Sequence, residues 1–344
     1  MEPTEVFETY WRFAAERQNM YFNRLCEPDG LWTSDPILES YRFTNAYRAA
    51  DRVSQYLIRH VQYDEHRSQT PEDVFFRTML FKIFNRIDTW EALERSHGPI
   101  EYRSADLNLI SKTLDGIMKR GQPVYSAAYI MPSPNLGHTR KHENHLALLA
   151  RMMDDRLPNS LKQKPSLAEV YAGLLRYPSL GPFLAFQFTI DLNYSTLTDF
   201  PEESFVVAGP GAIDGISKCF VDTGRCTPEE VIMGVYETQN KAFSDYNIHF
   251  RSLFGRPLMP IDCQNIFCEI SKYARVAHPD RAGVSGRTRI KQGYTRGVEH
   301  LPMPFFPPKW ELNEVVQAVI GENSLAQERG PETGPDDLPL LRTG

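Results

Sequence analysis

The 344-residue sequence predicts a mostly α-helical protein with only a few short strands. Three observations carry that expectation: apolar residues recurring at helical spacing, prolines and acids placed where helices start, and a scarcity of alternating runs. In chain order, "MEPTEVFETYWRFAAERQ" is acidic and then amphipathic, without the basic, apolar, small-residue order of a signal peptide. "RFTNAYRAADRVSQYLIRHV" sets Phe43, Ala46, Tyr47, Ala50, Val53 and Leu57 on one face of an expected helix. Asn45, Arg48, Arg52, Gln55 and Arg59 fall on another. "PEDVFFRTMLFKIFNRIDTWEALE" opens with a proline and acids suited to a helix N-terminus. Further helices are expected over 105–120, 143–156, 166–176, 228–243 and 261–275, with "PVYSAAYIM" and "SFVVAG" as short strands.

The stretch "YPSLGPFLAFQFTIDLNYS" carries two signals. Phe186, Phe188, Ile190, Leu192 and Tyr194 alternate with polar residues, a strand pattern, whereas Gly181-Pro182 looks like a turn feeding a helix. Proline at a first helical position favours a hairpin followed by a buried helix. After Ala277 the composition shifts to Gly and Arg, then to the proline-rich strap "HLPMPFFPPKW". The expected organisation is one helical domain over 1–310, with a basic Gly/Arg loop at 281–296, then a short helix and a disordered tail over 311–344.

With 41% hydrophobic and 24% charged residues, the composition is that of a soluble globular protein. No run approaches the roughly 18 to 20 apolar residues of a membrane span, so a cytoplasmic protein without membrane contact is expected. Five cysteines, none in a C-x-x-C pair, suggest neither a disulfide framework nor a zinc ribbon. A net charge of -6 excludes coating nucleic acid by bulk charge. Locally, however, Arg281, Arg287, Arg289, Lys291 and Arg296 lie in a segment without any acid.

His138, His142 and His145 are spaced to share a helix face, but Arg140 and Lys141 would repel a cation. A polar or phosphate-facing helix start is expected there, and no metal. Arg48, Arg52 and Arg59 read either as a solvated face or as a row of phosphate contacts. "VVAGPGAIDGISK" is glycine-rich but fails the G-x-x-x-x-G-K-[ST] spacing, so a nucleotide-hydrolysing P-loop is rejected. "YPSLGPFLA" has the outline of a helix-hairpin-helix turn, with Ser179 where its first glycine would stand. Such a turn aims backbone N–H groups at a DNA phosphate through Ser179 and Gly181. Downstream, Asp214 in "AIDGISK" stands in a hydrophobic-Asp-x-x-x-basic context. A carboxylate there could stabilise an oxocarbenium-like sugar, or merely cap a turn. In "IDCQNIFCEISKY", Asp262, Asn265, Glu269, Lys272 and Tyr273 recur at helical spacing, as an ion-pair network or a site wall.

With these residues, "YWRFAAERQNMYFNRL", "DPILESYRFTNAYRAADRVSQYLI", "FKIFNRIDTWEAL", "GPFLAFQFTIDLNYS", "FVVAGPGAIDGI" and "MPIDCQNIFCEISKYAR" together resemble the α-glutamyl/putrescinyl thymine pyrophosphorylase-like family over roughly residues 5–280. That family is similar to the helical domain attached to 5-hydroxymethyluracil DNA kinases. The resemblance implies a helical fold related to helix-hairpin-helix DNA glycosylases and action on a modified pyrimidine in DNA. Its motifs fall on Arg42, Asn45, Arg48, Arg52, Ser54 and Gln55, on Asp191, Asn193 and Tyr194, and on Asp262, Gln264, Asn265, Glu269, Lys272 and Tyr273.

From this follows the expectation of a DNA glycosylase that removes a hypermodified pyrimidine from a flipped nucleotide, plausible in antiviral defence, without a cofactor. Asp214 is its expected catalytic carboxylate, with Asp191 and Asp262 as rivals. Ser179, Gly181, Arg48, Arg52 and the cations of 281–296 would hold phosphates. Asn45, Gln187, Asn193, Tyr194, Gln264, Asn265, Glu269, Lys272 and Tyr273 would line the base pocket. The alternatives are a transferase displacing pyrophosphate from an activated 5-hydroxymethyl pyrimidine with an amine, and a non-catalytic DNA-binding module.

Overall fold

A computed structural model describes residues 1–297 and 300–329, the last eight of these by backbone alone. Fourteen α-helices are present among the described residues. They are α1 (Glu5–Cys26), α2 (Pro36–Ser40), α3 (Arg52–Tyr56), α4 (Pro71–Phe84), α5 (Ile87–His97), α6 (Leu107–Lys119) and α7 (Lys141–Asp154). There follow α8 (Leu157–Lys162), α9 (Leu167–Leu175), α10 (Pro182–Tyr194), α11 (Pro210–Cys219), α12 (Pro228–Asp245), α13 (Pro260–Ala277) and α14 (Asn313–Arg329). A short antiparallel pair, β1 (Glu2–Pro3) with β2 (Phe220–Asp222), ties the N-terminus to the end of α11. The mostly α expectation is met.

Local chemistry sets many of the helix ends. Thr4 caps α1 by accepting from the Val6 amide, with Glu5 and Glu8 in the first turn. Thr227 and Glu230 form a reciprocal capping box on α12. The "PEDVFF…EALE" run becomes two helices because Asn85 takes a left-handed conformation (φ 49°) between α4 and α5.

α10 settles the ambiguous stretch as a helix. Its alternation did not signal a strand because the helix is buried on every side, so polarity no longer reports which face meets solvent. Phe186, Ile190 and Tyr194 join one apolar cluster with α1, α11, α12 and α13. Leu184, Ala185, Phe188 and Leu192 join a second with α4 to α9. Burying each of its large side chains contributes about 1.5–3 kcal/mol relative to exposure.

The glycines of "VVAGPGAIDGISK" form no phosphate loop; they open and line α11. A methyl group on Gly215 would overlap the Phe267 carbonyl oxygen, and one on Gly211 the Cys268 sulfur. The four-residue spacing of Gly211 and Gly215 therefore lets α11 and α13 approach backbone to backbone.

Three expected elements differ. Residues 42–61 are not one helix but an extended segment, a 3-10 turn (Arg48–Ala50), α3 and a π-helical turn (Leu57–Gln62). The Asn45 side chain donates to the Ala50 carbonyl (2.7 Å) and its amide to Asp51 Oδ1 (2.8 Å), local bonds that compete with a helical ladder. "PVYSAAYIM" is irregular: Tyr129 is left-handed (φ 55°), which a strand does not accommodate. "SFVVAG" is irregular too, the Ala208 amide donating to the Glu229 carboxylate instead of to a neighbouring strand. The helix expected after Trp310 is α14, extended to Arg329; the rest of the expected tail lies outside the described residues.

Candidate functional site

A cavity of about 590 Å³ opens between α1, the broken segment over 42–61 and the chain around Tyr294 together with the start of the proline-rich strap. That volume lies in the range of small-molecule and nucleotide sites. α1 contributes Arg17, Tyr21 and Arg24, one or two turns apart; the broken segment contributes Arg42, Phe43, Asn45, Asp51, Arg52, Gln55, Tyr56 and Arg59. Tyr294, Thr295, Gly297 and Leu301 to Pro304 close the remaining side. The strap is fastened by the Phe305 amide donating to Gln55 Oε1 (2.8 Å) and by Arg59 donating to the Met303 carbonyl (3.0 Å). The Tyr294 amide also donates to the Ser40 carbonyl (2.9 Å).

One carboxylate, Asp51, lines this ring of cations. Burial raises its carboxyl to about 7, with Glu269 adding to the rise and the Asn45 amide and Arg17 opposing it. Arg17 is itself lowered by burial, countered by Asp51 and Glu269. The buried Tyr21 hydroxyl makes no hydrogen bond among the described residues. Cationic, aromatic and carboxylate groups thus share one recess, with a donor left for a ligand.

Several expected pocket residues flank this recess. Asn45 lines it. Glu269 accepts the Thr44 amide (3.1 Å) and pairs with Lys272 (2.6 Å), which supports the segment from behind, while Tyr273 donates to Asp35 (2.6 Å) at the cap of α2. Asn265 is buried, with its amide nitrogen unpartnered among the described residues.

Others sit elsewhere. Arg48 is 1% exposed and does not reach DNA phosphates: the 3-10 turn points it inward, 2.8 Å from Asp191. Lys82 lies 3.2 Å from the other Asp191 oxygen. Burial opposes the Asp191 charge, but Arg48 and Lys82 outweigh it and hold the carboxyl below its usual range. Gln187 accepts from Arg48 Nε (2.9 Å) and donates to Gln264 (3.2 Å), and both glutamines are fully buried. Asn193 is spent on the loop after α10, accepting from Thr198 and the Phe200 amide. Tyr194 is buried against Trp310 and Arg48. These four are interior connectors, not base-reading groups.

Asp262 accepts the amides of Met259 (3.0 Å) and Arg48 (2.8 Å) at the start of α13, its carboxyl raised by burial to about 6. Asp214 is 1% exposed and accepts from Ser271 Oγ (2.5 Å) and the Ser285 amide (2.6 Å), with Lys218 Nζ at 3.9 Å. Neither carboxylate lines the cavity.

The hairpin between α9 and α10 has Ser179 in the left-handed region (φ 67°), the conformation a glycine would take more cheaply, and Gly181 exposed as the cap of α10. In the basic loop, Arg281 is paired with Glu5 and Arg296 with the Pro28 carbonyl over the Trp32 ring. Arg287, Arg289 and Lys291 have exposed side chains. Of the three histidines, His142 and His145 are buried, His142 near Ser111 and Asp115 and His145 between Tyr125 and the Pro132 carbonyl.

Arg17, Tyr21 and Arg24 were not singled out from sequence as site residues, because α1 reads as an ordinary amphipathic helix. Their signal is the i, i+4, i+7 spacing of two arginines about a tyrosine on one face. Asp51 was not singled out as a site residue either.

A sequence model of the helical domain of 5-hmdU DNA kinases matches residues 4–283. A 5-hmdU DNA kinase of Bacillus phage SP10 is 24% identical over 288 residues, covering 78% of this chain and 45% of that protein. The chain thus spans less than half the length of this relative. No solved structure matches. These findings overturn the expected glycosylase, and with it the hydrolase and defence roles that rested on base removal. They equally overturn displacement of pyrophosphate by an amine: both matches are to proteins described as DNA kinases.

Proposed function

Because the chain belongs to the family of the helical domain of 5-hmdU DNA kinases, we propose that it binds DNA carrying 5-hydroxymethyldeoxyuridine and serves phosphoryl transfer to the 5-hydroxymethyl oxygen. The activity is taken from a relative more than twice the length of the matched segment, so it belongs to this proposal as a whole. The observation that carries it is Asp51, a carboxyl raised to about 7 within a recess ringed by arginines.

In this reading the modified nucleotide leaves the base stack and enters the cavity, where Phe43, Tyr56 and Tyr294 offer aromatic faces. Arg42, Arg52 and Arg59 engage phosphates, and the Tyr21 hydroxyl bonds the base. Asp51 accepts the proton of the 5-hydroxymethyl group as its oxygen attacks the terminal phosphorus of a nucleoside triphosphate, whose terminal P–O bond breaks to release the nucleoside diphosphate; a group with pKa near neutrality suits that task. Gly181 and the exposed Arg287, Arg289 and Lys291 take flanking phosphates. The DNA partner, the residue roles and a single domain over 1–310 are all parts of the proposal.

The test is equilibrium binding of the chain to otherwise identical duplexes carrying one hydroxymethyluracil or one thymine. A preference of about tenfold, or roughly 1.4 kcal/mol, is expected for the modified duplex. Arg52→Ala and Arg59→Ala should weaken binding to it. Equal affinity for both duplexes contradicts the proposal.

A further inference from the structure

Between Ala282 and Arg287 the sequence Gly-Val-Ser-Gly closes a four-residue turn, the Gly286 amide donating to the Gly283 carbonyl (3.1 Å). Its tip, Val284, is 71% exposed, more than any other large apolar side chain among the described residues. A single exposed valine is ordinary on a protein surface. This one is held in place. The Ser285 amide donates to the buried Asp214 (2.6 Å) and the Val284 amide to Ser217 Oγ (3.2 Å). Asp214 is fixed in turn by Ser271 and faces Lys218. Gly283 permits the close seat, since a methyl group there would overlap the Asp214 carboxylate and lie 2.8 Å from Lys218 Cε.

The chain beyond the turn leads to the cavity. Arg287, Arg289 and Lys291 follow with exposed side chains, and Arg275 donates to the Arg289 carbonyl (3.0 Å). The Arg42 amide then donates to the Gln292 carbonyl (3.1 Å), beside the cavity-lining Tyr294. An apolar tip held by a buried carboxylate is thus followed by three exposed cations in a chain that runs to the recess. Cations are suited to DNA phosphates, and an exposed apolar side chain to insertion between base steps.

Building on the DNA reading above, we propose that Val284 is a wedge that enters the base stack next to the nucleotide taken up by the cavity. Asp214 is the positioning residue that fixes the turn carrying it. A buried aspartate thereby has a role in the site without touching the reacting atoms.

The test uses the full chain and a duplex with 2-aminopurine adjacent to hydroxymethyluracil, reading fluorescence for unstacking and anisotropy for binding. The unsubstituted protein should raise the fluorescence on binding. Val284→Ser, a surface change that should leave the melting temperature unmoved, should lower that rise roughly fivefold at saturation, and Val284→Leu should restore it. Asp214→Ala should act in the same direction as Val284→Ser. If Val284→Ser unstacks the neighbour as fully as the unsubstituted protein at saturation, the wedge is refuted while the DNA reading stands. If the unsubstituted protein does not bind the duplex, both fall together.

Discussion

Asp51 concentrates the chemistry at the residue scale. Its carboxyl lies near 3.8 in the unfolded chain and about 7 in the fold, so the folded state prefers the neutral form. Its contribution to stability is then fully present below about 4 and lost as pH rises through about 7. Glu202 (about 7) and Asp262 (about 6), both raised by burial, act in the same direction. Replacing Asp51 with Asn should make the melting temperature less dependent on pH between 4 and 7, as thermal denaturation in matched buffers would show. An unchanged dependence would mean that Asp51 is solvated in the fold. In the phosphoryl-transfer reading, the base must be deprotonated. The rate should therefore climb through about pH 7 and lose that limb in the variant.

The buried Arg48–Asp191–Lys82 cluster shows what sequence could and could not tell at this scale. Arg48 and Asp191 could both be picked out of the sequence as chemistry-bearing; that they meet each other in the interior could not. Periodicity placed Arg48 beside Arg52 and Arg59, but a turn held by Asn45 rotates it inward while leaving those two at the cavity. Removing one partner leaves an uncompensated buried charge, a loss of about 3–5 kcal/mol. Arg48→Met should lower stability by that order in urea denaturation, a far larger effect than Arg52→Met.

Among the elements, those with caps and uninterrupted helical spacing, such as α4, α12 and α13, were readable because local propensity and tertiary packing agree in them. Where side-chain-to-backbone bonds compete with the helix, as over 42–61, the pattern persisted but the helix did not. The glycines of α11 misled in the other direction: their reason lies in α13, some fifty residues away in the chain, and no local spacing encodes it. Gly215→Ala should destabilise the fold by at least the 1–3 kcal/mol of an overpacked core, since the obstacle is backbone and cannot swing aside. A neutral outcome in denaturant titration would show that α11 can move away from α13.

Across the whole molecule, α10 joins two apolar clusters, and the cavity forms where the broken segment and the strap meet α1 beside them. The broken segment supplies the residues of the arginine face that were legible in the sequence. The strap and α1 could be assigned to the site only once the fold was known, because they are some 270 residues apart in the chain. Neutralising Arg287, Arg289 and Lys291 together should reduce the slope of log affinity for DNA against log salt by about 3 if each neutralises one phosphate.

The proposed seat of the hydroxymethyluracil nucleotide is the arginine-ringed cavity. Hydrogen–deuterium exchange of the chain, alone and with a duplex carrying one hydroxymethyluracil, locates that contact directly. Protection over 41–60 and 294–304, exceeding that given by the thymine duplex, is the predicted result. Identical exchange in these segments with either duplex, while the modified DNA is bound, would contradict it.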